Sequence, residues 1–304
     1  MAKKIFFARP EDTLYYVKFA KILQRYFRIS GFPKHFSGHS RKDFSNWQLF
    51  TLQVFRQKLK MKYRPFLQWL ESCLPVIRFL KLERLPHYTR LQSFDARCKP
   101  FWHLRMIETT PRVVGFTHFF TGIDGTGFSI YQGSKHYCRR IGRKTCRKDF
   151  VKFVGVADMK YQLMLTLRIR KRARHDNVDF RPLMKRVRRL GLIDVGVGDK
   201  GFDAEKNHKL MRDELGALFI APIRNKEVPV WRTKGEYRKK LKRYFPEKTY
   251  HQRSKKETVI SVIKRCYGDT LYSTTFSGQK KEICYKIMAY NVDKIIEKKL
   301  VKNV

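Results

Sequence analysis

Near residue 116 the spacing of apolar residues changes from helical to extended, so the fold must join a helical part to a sheet. Upstream, Leu14, Val17, Ala20, Ile22 and Leu23 recur at helical spacing as far as about Phe27. The segment ISGFPKHFSGHS, with Gly31, Pro33 and Gly38, interrupts that pattern. Further helices are expected from about Phe44 to Lys60, from Arg64–Pro65 through Phe79, and over a short stretch capped by Thr89 that ends near Arg97. A helix bearing Arg90, Gln92 and Arg97 after a turn fits a helix-turn-helix DNA reader, and it fits a plain helical bundle equally well.

Downstream, FTHFFTGIDGTGFS is an aromatic and glycine-rich strand with Asp124 at the end of its apolar run. FVKFVGVADMKYQLMLTLRI gives a hairpin turning near Asp158–Lys160, and Val178 to Leu190 suits a helix. LIDVGVGDKGF is a strand ending at Asp199, where Gly201 permits a tight turn and Asp203 can cap a helix over 204–215. GALFIAPIR is a last strand stopped by Pro222, and a further helix follows a basic, aromatic segment. Three antiparallel-type strands, then helix, strand, helix, strand, insertion and helix make a mixed α/β sheet flanked by helices, which fits a ribonuclease H-like fold. The expected division is a helical DNA-binding domain over 1–112 and a sheet domain over 113–304, with a short basic insertion at about 224–249.

The chain has 68 Lys+Arg against 26 Asp+Glu, a formal net charge of +42 over 304 residues. Such an excess repels itself in a compact state and calls for a polyanionic partner, which DNA or RNA supplies through phosphate neutralisation. No spanning run or amphipathic anchor points to a membrane. The six cysteines (73, 98, 138, 146, 266, 284) form no C-x-x-C pair and read as free thiols of a reducing compartment. His136, Cys138 and Cys146 lack a fourth ligand at zinc spacing. The apolar run in MAKKIFFARPED is too short for a signal peptide, so a cytoplasmic, nucleoid-associated location is expected.

In a chain poor in acids, carboxylates at strand ends amid basic surroundings need a reason. Asp124 and Asp199 each end an apolar strand, and Glu257 falls on the late helix. Each alone is an ordinary turn or cap residue; together they suit a pair of magnesium ions, which require shared hard oxygen ligands. Within YHQRSKKETVISVIK, Tyr250 is followed at offsets of 3, 7 and 14 by Arg253, Glu257 and Lys264. On one helix these fall at about 300°, 340° and 320° from the tyrosine, a single stripe. The plainer reading is a surface helix with one Arg–Glu pair. In the insertion, Arg224, Lys226, Arg232, Lys234, Arg238, Lys239, Lys240, Lys242 and Arg243 alternate with Trp231, Tyr237, Tyr244 and Phe245. That mixture suits single-stranded or distorted DNA, or a solvated loop whose aromatics face a core. His175–Asp176 reads as a charged turn or as a pair near the site.

These motifs resemble the insertion-sequence DDE transposases marked by a Y-(2)-R-(3)-E-(6)-K signature. Tyr250, Arg253, Glu257 and Lys264 have its spacing, GIDGTGF resembles the segment of the first aspartate, and VGDKGFDAEKNH resembles that of the second. The similarity runs over roughly residues 116–290, and LPHYTRLQSF resembles the helical N-terminal region more loosely. The insertion is short beside the large β-rich insert of some relatives. The resemblance implies Asp124, Asp199 and Glu257 as catalytic metal ligands for Mg2+, with Mn2+ able to substitute. It implies Arg253 and Lys264 on DNA phosphates with Tyr250 beside them, and Trp231, Arg238 and Lys239 as DNA contacts in the insertion. The expected partner is double-stranded DNA, both element ends and target, bound by a homodimer. A ribonuclease H-like nuclease without strand transfer and a non-catalytic basic nucleic-acid-binding protein are the alternatives.

Overall fold

The structure, a computed structural model, describes residues 14–39, 42–131, 140, 150–171, 175–252 and 254–301, and for residues 254–258 it describes the backbone alone. The zinc candidates His136, Cys138 and Cys146 lie outside the described residues, and the four described cysteines are free thiols.

The helical part holds α1 (Tyr15–Ser30), α2 (Asn46–Lys58), α3 (Tyr63–Glu71), α4 (Leu74–Leu80), α5 (Tyr88–Arg97), α6 (Pro100–Glu108) and α7 (Thr110–Val114). Helix α1 stops on Gly31, whose φ of 70° is the left-handed conformation that glycine tolerates best. A capping box between Ser45 and Gln48 opens α2. The helix expected from 64 to 79 is two helices. Pro75, at the first turn of α4, has no amide to continue α3, and the chain turns at Ser72–Cys73. Helix α5 begins at Tyr88 after His87, so Thr89 is inside the helix and caps nothing.

The sheet comprises β1 (His118–Ile130), β2 (Phe150–Asp158), β3 (Leu163–Arg170), β4 (Leu192–Val197), β5 (Leu218–Ile220) and β6 (Thr270–Leu271), in spatial order β3-β2-β1-β4-β5 with β6 paired to the end of β1. β2 is antiparallel to β1 and β3, whereas β4 and β6 run parallel to β1, and β5 runs parallel to β4. This is the mixed, ribonuclease H-like arrangement that the element order implies. The parallel strands need crossovers, supplied by α8 (Asn177–Arg188) and by α9 (Glu205–Lys209), which continues as a π-helical turn over Leu210–Glu214. Asp203 does not cap α9, whose flanking residue is Ala204.

Alternation sorts the side chains of β1. Phe119 and Ile123 join Phe180, Leu183, Met184 and Val187 of α8 in the core on one face. Phe128 faces the other way, into a larger core shared with the helical part. The latter face is covered by α12 (Ser254–Tyr267) and α13 (Phe276–Glu297), which follow α10 (Glu236–Arg243) and α11 (Glu247–His251). Helix α13 is opened by Thr275, whose hydroxyl accepts the Gly278 amide at 3.1 Å, and it is buried nearly all round. A helix without a solvent face belongs in a core. Its polar residues are satisfied there: Asn291 exchanges two 2.9 Å bonds with the backbone of Met164 and donates to Thr110 at 3.0 Å. Because α13 packs between the sheet and helices α1, α2 and α6, the boundary near residue 112 does not separate two cores. Among the described residues, no helix is long and apolar enough to cross a membrane.

Candidate active site

Strand register brings the two aspartates together. In the parallel pair β1–β4, Gly122 lies opposite Val197. Asp124 and Asp199 are each two residues further on, and Asp199 keeps an extended backbone (φ −77°, ψ 168°). Both therefore lie just past the last β1–β4 pair, at the same level of adjacent strands. They also share a face. Thr126 and Phe128, in step with Asp124, both meet Lys264 of α12. Val197, in step with Asp199, belongs to the core that holds Val259, Ile260 and Ile263 of α12. A Cβ on Gly196 or Gly198 would instead meet Met211 and Phe219 in the opposite layer.

Both carboxylates are half-buried and each accepts from the next amide: Asp124 from Gly125 at 2.8 Å, Asp199 from Lys200 at 2.6 Å. The glycine after Asp124 has a packing reason, since a Cβ there would stand 2.9 Å from the Asp176 carboxylate, itself paired with Lys152 at 2.5 Å. Gly201 is different. It has no positive φ and faces open space, so the turn after Asp199 does not require glycine.

Helix α12 crosses the aspartate face. Lys264 donates to Thr126 Oγ1 at 2.6 Å and stands 5.5 Å from the Phe128 ring. Burial lowers its pKa, and the nearby charges of Asp269 and Asp124 act in the opposite sense. Glu257 is on α12, seven residues or roughly 10 Å toward its N-terminus from Lys264. The Glu257 side chain and the whole of Arg253 lie outside the described residues. Among the described residues, no three His, Cys, Asp or Glu side chains group closely enough to hold a metal. The donors that are described, two carboxylates on one sheet face, are the hard oxygen ligands that magnesium takes.

The tyrosine departs from the expected stripe. Tyr250 is on α11, and the chain turns at Gln252 before α12 begins, so the single helix expected from 250 to 264 is two. Its ring packs against Phe245 at 5.2 Å and lines a cavity of about 450 Å³ with Pro222, Ile223 and Leu241.

The insertion holds a short 3-10 turn (Val230–Arg232) and α10, and among its described residues there is no strand. Trp231 is 70% exposed with the Arg232 guanidinium 4.6 Å from its ring, a placement open to a base. Lys239 is half-buried on α10. Arg238 turns inward and grips the buried Asp203 through both nitrogens, at 2.8 and 2.7 Å. Burial opposes the Asp203 charge, but His208, the Arg238 guanidinium and the Arg224 amide at 2.9 Å overcome it and bring the carboxyl down to about 2. His208 Nε2 stands 3.8 Å from Asp203 Oδ1. Nothing in the basic run signals this pair, because Asp203 is 35 residues upstream.

Residues 120–292, more than half of the chain, match the family model for a transposase DDE domain. The chain belongs to the DDE transposase family. The matched span opens just before Asp124 and closes inside α13, so it includes the helix that packs over the aspartate face of this transposase. The cryo-EM structure of the piggyBac transposase synaptic complex with hairpin DNA is similar over 96% of this chain and 78% of that one, with a TM-score of 0.41 and 10% identity. No curated protein matches the sequence significantly.

Proposed function

We propose that this transposase cuts phosphodiester bonds at the ends of an insertion sequence and joins the freed 3′-hydroxyls to target DNA. Asp124, Asp199 and Glu257 would hold two magnesium ions, with manganese able to replace them. The observation that supports the reading is the register of β1 and β4, in which Asp124 and Asp199 follow the last pair at the same level, on the face that α12 covers. Held by those carboxylates, such ions would supply activation of the attacking hydroxyl and stabilisation of the leaving oxygen. The protein's part is to hold the strand. Lys264, which donates to Thr126, would meet a phosphate next to the one cut. Arg253 would meet another, and Tyr250 would buttress the turn between α11 and α12. Trp231 would stack on an unpaired base, and Lys239 would add to phosphate contact. A homodimer would pair two element ends in the cytoplasm.

The test uses element-end duplexes with the Asp124→Asn, Asp199→Asn and Glu257→Gln proteins in magnesium. Each should lose strand cleavage while duplex binding stays within about twofold, since affinity comes from the basic surface. Pre-cleaved ends given to the unaltered protein should yield joined product, which a nuclease would not make. Near-normal cleavage by Glu257→Gln would contradict the assignment.

A further inference from the structure

The turn that follows Asp199 is held from outside the sheet. Lys200–Phe202 forms one 3-10 turn, too short to fix its own orientation; its Lys200 carbonyl accepts the Asp203 amide, and its Lys200 and Gly201 carbonyls both have a side-chain donor as well. Arg224 takes both: Nε donates to the Lys200 carbonyl at 2.9 Å and Nη2 to the Gly201 carbonyl at 2.6 Å. Its own amide donates to Asp203 at 2.9 Å, so one residue closes the turn from both ends. Nη2 also lies 3.1 Å from His175 Nε2, and the neighbouring Asp176 is the carboxylate packed against Gly125. Arg224 thus joins the segment after Asp199 to the segment beside Asp124.

Only a guanidinium does this well. Its planar fork presents two N–H groups at a set separation, which matches two successive carbonyls, whereas an ammonium is a single point charge. The position also explains why a cation stays close to this turn: two carbonyl dipoles aim at it. Sequence alone places Arg224 among ten cations of the insertion, with no sign that it differs from them.

We infer that Arg224 is a positioning residue that holds the Asp199 carboxylate in the orientation it needs to bind a metal ion, and is not a phosphate contact. The inference rests on the proposed metal role of Asp199.

Full-length protein is titrated with Mn2+ alone and free ion is read by electron paramagnetic resonance, for the unaltered chain and for Arg224→Ala, Arg224→Lys and Asp199→Asn. Loss of a group that orients a ligand costs roughly 10–100-fold in metal affinity. Arg224→Ala should show a fall of that size, and Arg224→Lys should not restore it although the charge is kept. Duplex affinity and its salt dependence, measured without metal, should match the unaltered chain for Arg224→Lys. Arg224→Lys folds with the same charge and stem, so it decides the matter should the alanine protein melt early. Unchanged Mn2+ affinity in both variants, or full rescue by lysine, would overturn the inference. So would a lower salt slope with intact Mn2+ binding, which would make Arg224 a phosphate contact. If Asp199→Asn itself binds Mn2+ normally, the metal role of Asp199 fails first. If it loses Mn2+ while the Arg224 variants do not, only the positioning role fails.

Discussion

Lys264 occupies a place where a cation is costly: half-buried, between the Phe128 ring and the Thr126 hydroxyl, with its pKa lowered by burial. On the proposed function, a lysine kept there would meet the phosphate of an arriving strand. Lys264→Ala should therefore reduce the slope of log affinity against log salt for element-end DNA by about one unit. Cleavage should fall further than affinity, because a small misplacement at the reacting atoms is expensive. The exposed Lys248 on α11 provides the comparison, and Lys248→Ala should cost only its share of general charge. Equal losses of cleavage in the two proteins would remove any special role for Lys264. Asp124, Asp199 and Lys264 were legible as candidates, Asp199 from its strand end and Lys264 from its spacing, but Asp124 does not end its strand: β1 runs on through Gly125 and Gly127 to Ile130, paired with β2. Arg224 and Arg238 were not legible, since their partners are carbonyls and a carboxylate more than twenty residues upstream.

Five of the described strands were legible as elements because each apolar run ends in a polar or glycine-bearing turn, whereas β6, only Thr270–Leu271, is too short to show a period. The hairpin of β2 and β3 shows what such a turn does. Asp158 closes it, accepting from the Tyr161 amide at 2.7 Å and from the Phe120 amide of β1 at 3.2 Å. Burial raises its pKa to about 6 in spite of those amides. A carboxyl with a raised folded pKa holds its proton longer in the folded state than in the unfolded one. Its stabilising contribution is complete below its ordinary value of 3.8 and is lost as pH rises through about 6. Asp158→Asn mimics the protonated form and has no such dependence. The urea midpoint of the unaltered chain, relative to that of the Asn protein, should decline between about pH 4 and about pH 7. Parallel profiles would show that Asp158 does not titrate in this range. Helix breaks were harder to read than strands. The turns at Ser72–Cys73 and Gln252 each fall within an unbroken helical period, and periodicity cannot see an interruption that preserves it.

At the scale of the molecule, the place of α13 was the least legible feature. Its sequence carries Lys281, Glu282, Lys286 and Asn291, which suggest an exposed helix, yet all four are buried. Lys286 is held by the Gly268 and Thr270 carbonyls at 3.0 and 2.7 Å, and Glu282 accepts from the amides of Tyr272 and Ser273. Only the fold supplies those partners. Through α13 the helical part and the sheet share a core, and α12 is pressed onto the aspartate face between them. On the proposed function, three distant segments, at 124, 199 and 257, would meet around metal. Iron(II) in place of magnesium, with ascorbate and peroxide, generates hydroxyl radicals that cut the backbone next to bound metal. Mass spectrometry of the fragments should find cuts close to all three positions, each suppressed by excess magnesium. Cuts confined to one of them, or cuts at other sites that magnesium does not suppress, would contradict a shared metal site.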